Sequence, residues 1–473
     1  MLVRHYFTPK IAHSSYILSG SGSCAVVDPS RDSHAYITAA DELGVRITHV
    51  LETHLHADFV SGHCDLAALT GAEIIAPRAA RCGFPHRAVR EGDSFHLGSV
   101  RVDVLETPGH TPEHVSYVVT DTARGASPVA VFPGDTLFVG DVGRPDLFPG
   151  MASNLASLLY RSLEKLMALP DFCEVYPAHG AGSLCGRSMA SKYTSTIGYE
   201  RRFNPALLIR DEESFVESLT TGMPPAPDHF SRCSEINRLG PALHATLAPP
   251  VPLDPAAFFR TVSEGDRFVL DVRRYDAFAA QHVPGAWSID FTGNLPTFAG
   301  WVTPPDRDIL LVATDPEEAR EATVWLSRVG LDRVSGYLDG GMFSWAVNGL
   351  PTERMGLVSV REAHAAASEG SKRILDVRAP SEFNDFHFPG SLNIPAPDLR
   401  SRYGELDPRK DYLVICSTGQ RSALASAILL SMGFSGVYCV AGGMKGFQAA
   451  SLAPACPMCS LPHGPREQRS DDR

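Results

Sequence analysis

The chain has 473 residues, 44% hydrophobic and 20% charged, with a net charge of −12. One domain accounts for roughly 150 residues, so two or three folded units are expected, and the composition excludes disorder, collagen and coiled coil over most of the length. With no Lys/Arg run, no apolar signal core at the start and no apolar stretch long enough for a bilayer, the expectation is a cytoplasmic homo-oligomer acting on small molecules, with neither nucleic acid nor membrane as partner.

Up to residue 245, short β-branched runs at 16–18, 25–27, 48–51, 100–104, 115–119 and 129–132 alternate in a way that suits sheets with one buried face, so a β-rich sandwich with outer helices is expected. Residues 246–257 are Pro-rich and read as an extended, fairly stiff linker. An internal repeat follows. Asp271-Val272-Arg273 and His282-Val283-Pro284-Gly285 recur 105 residues later as Asp376-Val377-Arg378 and His387-Phe388-Pro389-Gly390, and Gly340-Gly341-Met342 is answered by Gly442-Gly443-Met444. Each copy, 258–350 and 356–452, alternates strands with helices and predicts a parallel sheet covered by helices. The remaining 453–473 loses periodicity and reads as a flexible tail.

Four polar segments in the first part each stand just beyond a strand: Thr53-His54-Leu55-His56-Ala57-Asp58-Phe59, Thr107-Pro108-Gly109-His110, Gly134-Asp135-Thr136 and Tyr176-Pro177-Ala178-His179. Imidazoles and carboxylates at several strand ends of one sheet edge make a mononuclear or dinuclear metal constellation. Taken singly, each has a plainer reading, with Asp58 capping a helix and the histidines solvated.

These residues resemble those of a metallo-β-lactamase-fold protein, whose motif is His-x-His-x-Asp-His followed by a distant His, a bridging Asp and a last His. The resemblance covers 1–245 and implies an αββα sandwich followed by two α/β domains. The motif's third histidine is Phe59 here. A second metal position formed by Asp58, that histidine and His179 would therefore lack a ligand, and the resemblance points to one metal held by His54, His110 and Asp135. Two imidazoles and one carboxylate with open positions suit Fe(II), as in the persulfide dioxygenases of this fold. His56, Asp58 and His179 would then orient ligands or bound water. The segments beginning Gly140-Asp141-Val142-Gly143-Arg144 and Gly198-Tyr199-Glu200-Arg201 look like those of rhodanese-fused relatives.

Of ten cysteines, Cys416 stands out. It follows an apolar strand and opens Cys416-Ser417-Thr418-Gly419-Gln420-Arg421 ahead of a helical run, so several backbone N–H groups and a helix N-terminus face its sulfur and stabilise an anion, with Arg421 adding positive charge. The plainer alternative is a small buried Cys in a tight turn. The second repeat resembles rhodanese, a sulfurtransferase family whose loop from Cys to Arg has this length, which implies that Cys416 carries sulfane sulfur as a persulfide. The first repeat has Ala313 at that position, followed by the acidic Asp315, Glu317 and Glu318, and reads as a structural spacer without an anion site. In the tail, Cys456 and Cys459 form a lone C-x-x-C, read as two exposed thiols, with sulfur relay or metal binding as the alternative.

Over nearly all of 1–452 the order resembles bacterial fusions of a persulfide dioxygenase with a pseudo-rhodanese and an active rhodanese. That resemblance implies an Fe(II) enzyme that oxidises a glutathione, coenzyme A or similar persulfide with O2 to sulfite, and that interconverts sulfite plus persulfide with thiosulfate through Cys416. Two alternatives stand beside it: a metal-dependent thioester hydrolase of glyoxalase II type, and a non-catalytic sulfur carrier.

Overall fold

A computed structural model describes every residue except Ser188, Pro224, Pro225 and 455–473, so Cys456 and Cys459 lie outside the described residues. The chain divides into two compact units, the first made of Met1–Leu247 with Ser327–Gly330 and the second of Ala248–Leu326 with the residues from Leu331 on.

In the first unit, β1 (Leu2–Thr8), β2 (His13–Ser19), β3 (Ser23–Val27), β4 (Arg46–Leu51), β5 (Glu73–Pro77) and β6 (Arg87–Val89) form one sheet in sequence order. The second sheet contains β7 (Ser94–Leu97), β8 (Val100–Glu106), β9 (Val115–Asp121) and β10 (Ala130–Phe132). A small hairpin of β11 (Leu137–Phe138) and β12 (Asp141–Val142) stands apart, and β13 (Glu174–Val175) and β14 (Ser195–Thr196) complete the second sheet in the order β14-β13-β10-β9-β8-β7.

Side-chain alternation explains how these sheets stack. Tyr16, Leu18, Ala25, Val27 and Leu51 from one sheet and Val102, Val104, Tyr117, Val119 and Phe132 from the other share a central core. The intervening residues are apolar as well. Ile17, Val26 and Val50 pack under Tyr36, Ala39 and Leu66 of the helices Ser33–Leu43 and His63–Thr70. On the opposite side, Val118, Val131 and Val175 pack under Ala156, Leu159 and Leu163 of the helix Ala152–Met167. The expected β sandwich with outer helices is present, but β2 and β9 are buried at every position and not on one face alone. A strand between a second sheet and a helix layer has no solvated side, so polar alternation is lost at its centre.

The second unit holds two sheets of one topology. The first comprises β15 (Val251–Leu253), β16 (Arg267–Asp271), β17 (Trp287–Ser288), β18 (Asp308–Val312) and β19 (Val334–Leu338), ordered β15-β19-β18-β16-β17. The second comprises β20 (Gly356–Val358), β21 (Arg373–Asp376), β22 (Leu392–Asn393), β23 (Tyr412–Ile415) and β24 (Val437–Val440), ordered β20-β24-β23-β21-β22. Every pairing in both sheets is parallel, as the alternation of strands and helices predicts.

The Pro-rich stretch is not a free linker throughout. Val251–Leu253 pairs with Gly336–Leu338 at the sheet edge, where Pro252 is tolerated because an edge strand leaves one row of N–H groups unpaired. Asp254 then caps the helix Pro255–Ser263 by accepting from the Ala257 N–H, with Pro255 in the first turn.

The repeated motifs are structural clips. Arg273 grips Asp271 and donates to the Gln281 carbonyl at 2.8 Å, and Arg378 grips Asp376 and donates to the Phe386 carbonyl at 2.8 Å. His282 and His387 stack on Phe278 and Phe383, with centroids 3.8 and 4.0 Å apart. Because these contacts join a strand end to the following helix, they persist in the copy without a cysteine.

Candidate functional site

The loops leaving β4, β8, β10 and β13 bring His54, His110, Asp135 and His179 together in the first unit. His54, His110 and Asp135 are fully buried, and one potential ligand atom from each lies within 4.8 Å of the others. The Nε2 atoms of His54 and His110 are 3.8 and 3.3 Å from Asp135 Oδ2.

Neighbouring groups determine which ring nitrogen is free. His110 Nδ1 is 2.8 Å from the Arg144 carbonyl, which only accepts, so Nδ1 carries the proton. His54 Nδ1 is 2.9 Å from Thr53 Oγ1, whose own proton goes to Asp28 Oδ2; here too Nδ1–H donates. Both Nε2 lone pairs therefore face Asp135. Burial pushes both rings below the ordinary imidazole pKa, and neutral rings are the form that ligates a metal. Neither Nε2 has a hydrogen-bond partner. Two buried, unpartnered lone pairs beside a carboxylate are costly to leave alone and fit a cation.

Asp135 is held from several sides. Its backbone N–H donates to His114 Nε2 at 3.0 Å, which fixes His114 as a neutral ring; burial brings that ring down to about 3. Burial alone would raise the Asp135 carboxyl, but His179 and His110 hold it below the usual carboxylate range. His179 reaches Asp135 through Nδ1 at 2.8 Å and Asp58 through Nε2 at 2.9 Å. Burial opposes a charge on His179, yet the two carboxylates raise its pKa well above the ordinary value. Gly134 admits this crowding: its φ is +51°, and a Cβ there would meet His114 Nε2 and Thr53 Oγ1 at 2.5 Å each. Thr53→Val removes the acceptor for His54 Nδ1 and the link to Asp28 at nearly constant volume. Metal affinity, measured by competition with a chelator, is expected to fall about 10–100-fold.

His56, Asp58 and His179 form a second donor set within 4.8 Å. Phe59 occupies the position of the motif's remaining histidine, buried with its ring 4.5 Å from His56 and 4.0 Å from His13. The arginines of the segments beginning Gly140 and Gly198 are engaged within the first unit. Arg144 makes two 2.7 Å bonds to Asp146, and Arg201 pairs with Asp171 and donates to the Met167 carbonyl.

The sequence reading overlooked three residues here. His13 is completely buried and forms a backbone bridge with His179; His114 supports Asp135; and Cys185 brings its sulfur within 4.8 Å of donor atoms on Asp135 and His179. Burial, together with the charges of Asp58 and Asp135, pushes the Cys185 thiol well above its ordinary pKa, so it faces the site as a neutral thiol. The available signal was position: Cys185 lies on the Gly-rich loop directly after His179.

In the second unit, Cys416 is buried at the end of β23, just ahead of the helix Gln420–Ser431. The Gly419 N–H points at its sulfur, 3.1 Å away. The carbonyls of Cys416 and Ser417 turn outward to the N–H groups of Met444 and Lys445, at 2.8 and 3.0 Å. The loop therefore turns these carbonyls away and presents the Gly419 N–H to the sulfur. Arg421 adds its positive charge beside a carboxylate. It makes 2.6 and 2.8 Å bonds to the Glu382 carboxylate and a 2.7 Å bond to Ser417 Oγ, so its charge is matched in place and it braces the loop.

Glu382 is about one-third exposed. Burial raises its carboxyl, but Arg421 and Ser417 bring it down to about 2. A depressed carboxylate contributes stability above its unfolded pKa and loses it as pH falls through the folded one. The stability gap between the protein and Glu382→Gln is therefore expected at neutral pH and should close between the ordinary glutamate range of about 4.5 and about 2, as followed by circular dichroism.

The Metallo-beta-lactamase superfamily profile matches residues 8–179, and the Rhodanese-like domain profile matches 256–348 and 359–450. The crystal structure of a metallo-beta-lactamase from Staphylococcus aureus subsp. aureus COL is 33% identical with a TM-score of 0.65, covering 71% of this chain and 98% of that one. The chain belongs to the metallo-β-lactamase superfamily. It carries two rhodanese-like domains behind that domain. Among curated relatives, the mitochondrial persulfide dioxygenase ETHE1 of Mus musculus is 31% identical over 45% of this chain and 78% of the relative. Hydroxyacylglutathione hydrolase of Methylococcus capsulatus is 40% identical over 34% of this chain and 58% of the relative. Among the described residues, no helix is long and apolar enough to cross a membrane.

Proposed function

We propose that this member of the superfamily is an Fe(II)-dependent persulfide dioxygenase joined to a sulfurtransferase. The reading is carried by the three-residue site of His54, His110 and Asp135, with both Nε2 lone pairs free and Phe59 in place of a further imidazole. The persulfide dioxygenase among the relatives supports it. In the proposed reaction, a thiol persulfide, dioxygen and water give the thiol, sulfite and two protons. Iron bound by the three residues supplies the one-electron chemistry that dioxygen needs.

The protein's part is positional. Thr53 and the Arg144 carbonyl hold the two imidazoles in one tautomer, while the His114 ring anchors the Asp135 backbone N–H and His179 holds the Asp135 carboxylate. The apolar cluster of Ala57, Phe138, Cys185 and Phe230 flanks the site and keeps water from that side. The substrate class is a low-molecular-weight thiol persulfide, of glutathione or coenzyme A type. In the second unit, Cys416 takes sulfane sulfur from a persulfide, releasing the thiol, and passes it to sulfite to give thiosulfate and the free thiolate.

Anaerobic purification, metal analysis and measurement of oxygen uptake and sulfite on adding glutathione or coenzyme A persulfide test this reading. Iron with persulfide-dependent oxygen uptake is the expected result. Zinc as the activating metal, with thioester turnover and no oxygen uptake, would make the protein a hydrolase like its hydroxyacylglutathione hydrolase relative; sulfur loading on Cys416 with an inert first unit would make it a carrier.

A further inference from the structure

The first rhodanese-like repeat has Ala313, and no thiol, after β18. It nevertheless packs against the mouth of the other repeat's sulfur cradle. Ala423, Ala427 and Cys439 of the second repeat share one apolar cluster with Val269, Phe278 and Trp345 of the first, and Tyr275 lies on its margin. Trp287 Nε1 donates to Ser431 Oγ at 3.1 Å, and a Cβ on Gly293 would fall 2.5 Å from Gln420 Oε1, the residue beside Gly419.

Tyr275 makes the contact that bears on chemistry. Its ring lies directly on Gly419: a Cβ there would be 3.0 Å from Tyr275 Cζ and 3.1 Å from its hydroxyl oxygen. Gly419 has φ +105°, a conformation open to glycine, and is the residue whose N–H points at Cys416 Sγ. The backbone nitrogen of Gly442 lies 3.4 Å from the same Cβ position, and its N–H acts on the Tyr275 hydroxyl against the rise in pKa that burial causes. Gly442 begins the turn from which Met444 and Lys445 draw the Cys416 and Ser417 carbonyls outward. One side chain thus touches both backbone segments that determine where the amides point. The peptide after Thr418 can rotate only if the ring yields.

We propose that Tyr275 is a positioning residue of the Cys416 sulfur-transfer site, and that the cysteine-less repeat completes the anion cradle of its partner repeat. The inference rests on the reading of Cys416 as the sulfur carrier. It replaces the role of spacer expected for residues 258–350.

Two readouts on the full-length protein test it: anaerobic thiosulfate formation from glutathione persulfide and sulfite, and the pH profile of Cys416 alkylation by iodoacetamide, followed by mass spectrometry of the Cys416 peptide. Tyr275→Phe keeps the ring and removes only the hydroxyl that lies beside Gly419 and Gly442. It is expected to lower kcat about fivefold, the rate equivalent of one lost polar contact, with KM for sulfite unchanged and the alkylation profile moved to higher pH. Tyr275→Ala should lower kcat further in the same direction. Wild-type kcat and a wild-type alkylation profile in Tyr275→Phe would overturn the proposal, and that variant leaves the packing intact should Tyr275→Ala fold poorly. Thiosulfate formation that survives Cys416→Ser would instead overturn the reading of Cys416 on which the proposal stands.

Discussion

In His110→Ala, bound metal and persulfide-dependent oxygen uptake are expected to disappear together, while sulfur transfer through Cys416 continues. His110 supplies one of two buried, unpartnered Nε2 lone pairs directed at Asp135 Oδ2. Removing a ligand atom should exceed the roughly 10–100-fold loss that follows removal of a group merely orienting a ligand. The substitution also strips the Arg144 carbonyl of its donor and leaves a cavity in a fully buried site, which costs about 1–3 kcal/mol for the orphaned acceptor alone. Thermal unfolding with and without added metal separates the two effects. Loss of metal should account for most of the activity change, and a variant that retains stoichiometric iron and oxygen uptake would remove His110 from the site.

Cys416→Ser is expected to divide the activities the other way. Thiosulfate formation should fall by at least about a thousandfold, the scale on which deletion of a nucleophile acts, while oxygen uptake is unchanged. Serine fits the same cradle, since the Gly419 N–H donates to oxygen as readily as to sulfur, so the loop geometry survives. What is lost is the sulfur nucleophile. If oxygen uptake also fell, the two sites would not act independently, and the fused arrangement would function as one catalytic unit.

These experiments bear on different parts of the chain because the sites differ in how much structure each requires. The Cys416 site is local: a strand end, four loop residues and a helix start set the backbone, with the Gly419 N–H, around one atom. The metal-type site is not local, since its donors come from loops after β4, β8 and β10, with His179 arriving after β13. Arg421 shows the limit of reading the local site from sequence. Its position in the loop was legible, but its partner Glu382 lies 39 residues away in sequence, so whether its charge is free or matched was not.

Sequence alone determined the donor types and their order, the departure at Phe59, the duplicated α/β module and the loss of the thiol at Ala313, because each is a property of residue identity and spacing. Strand positions followed for the same reason, as β-branched runs between turn residues. Only the tertiary structure decided which nitrogen of each imidazole is free, because a tautomer is set by partners such as Asp28 and the Arg144 carbonyl that are distant in sequence. Only it brought Cys185 beside Asp135, drew Val251–Leu253 into a sheet as an edge strand, and buried both faces of β2 and β9. Tyr275 belongs with these. Nothing in its surrounding sequence sets it apart, and it acquires significance from a contact with Gly419 that lies 144 residues further along the chain.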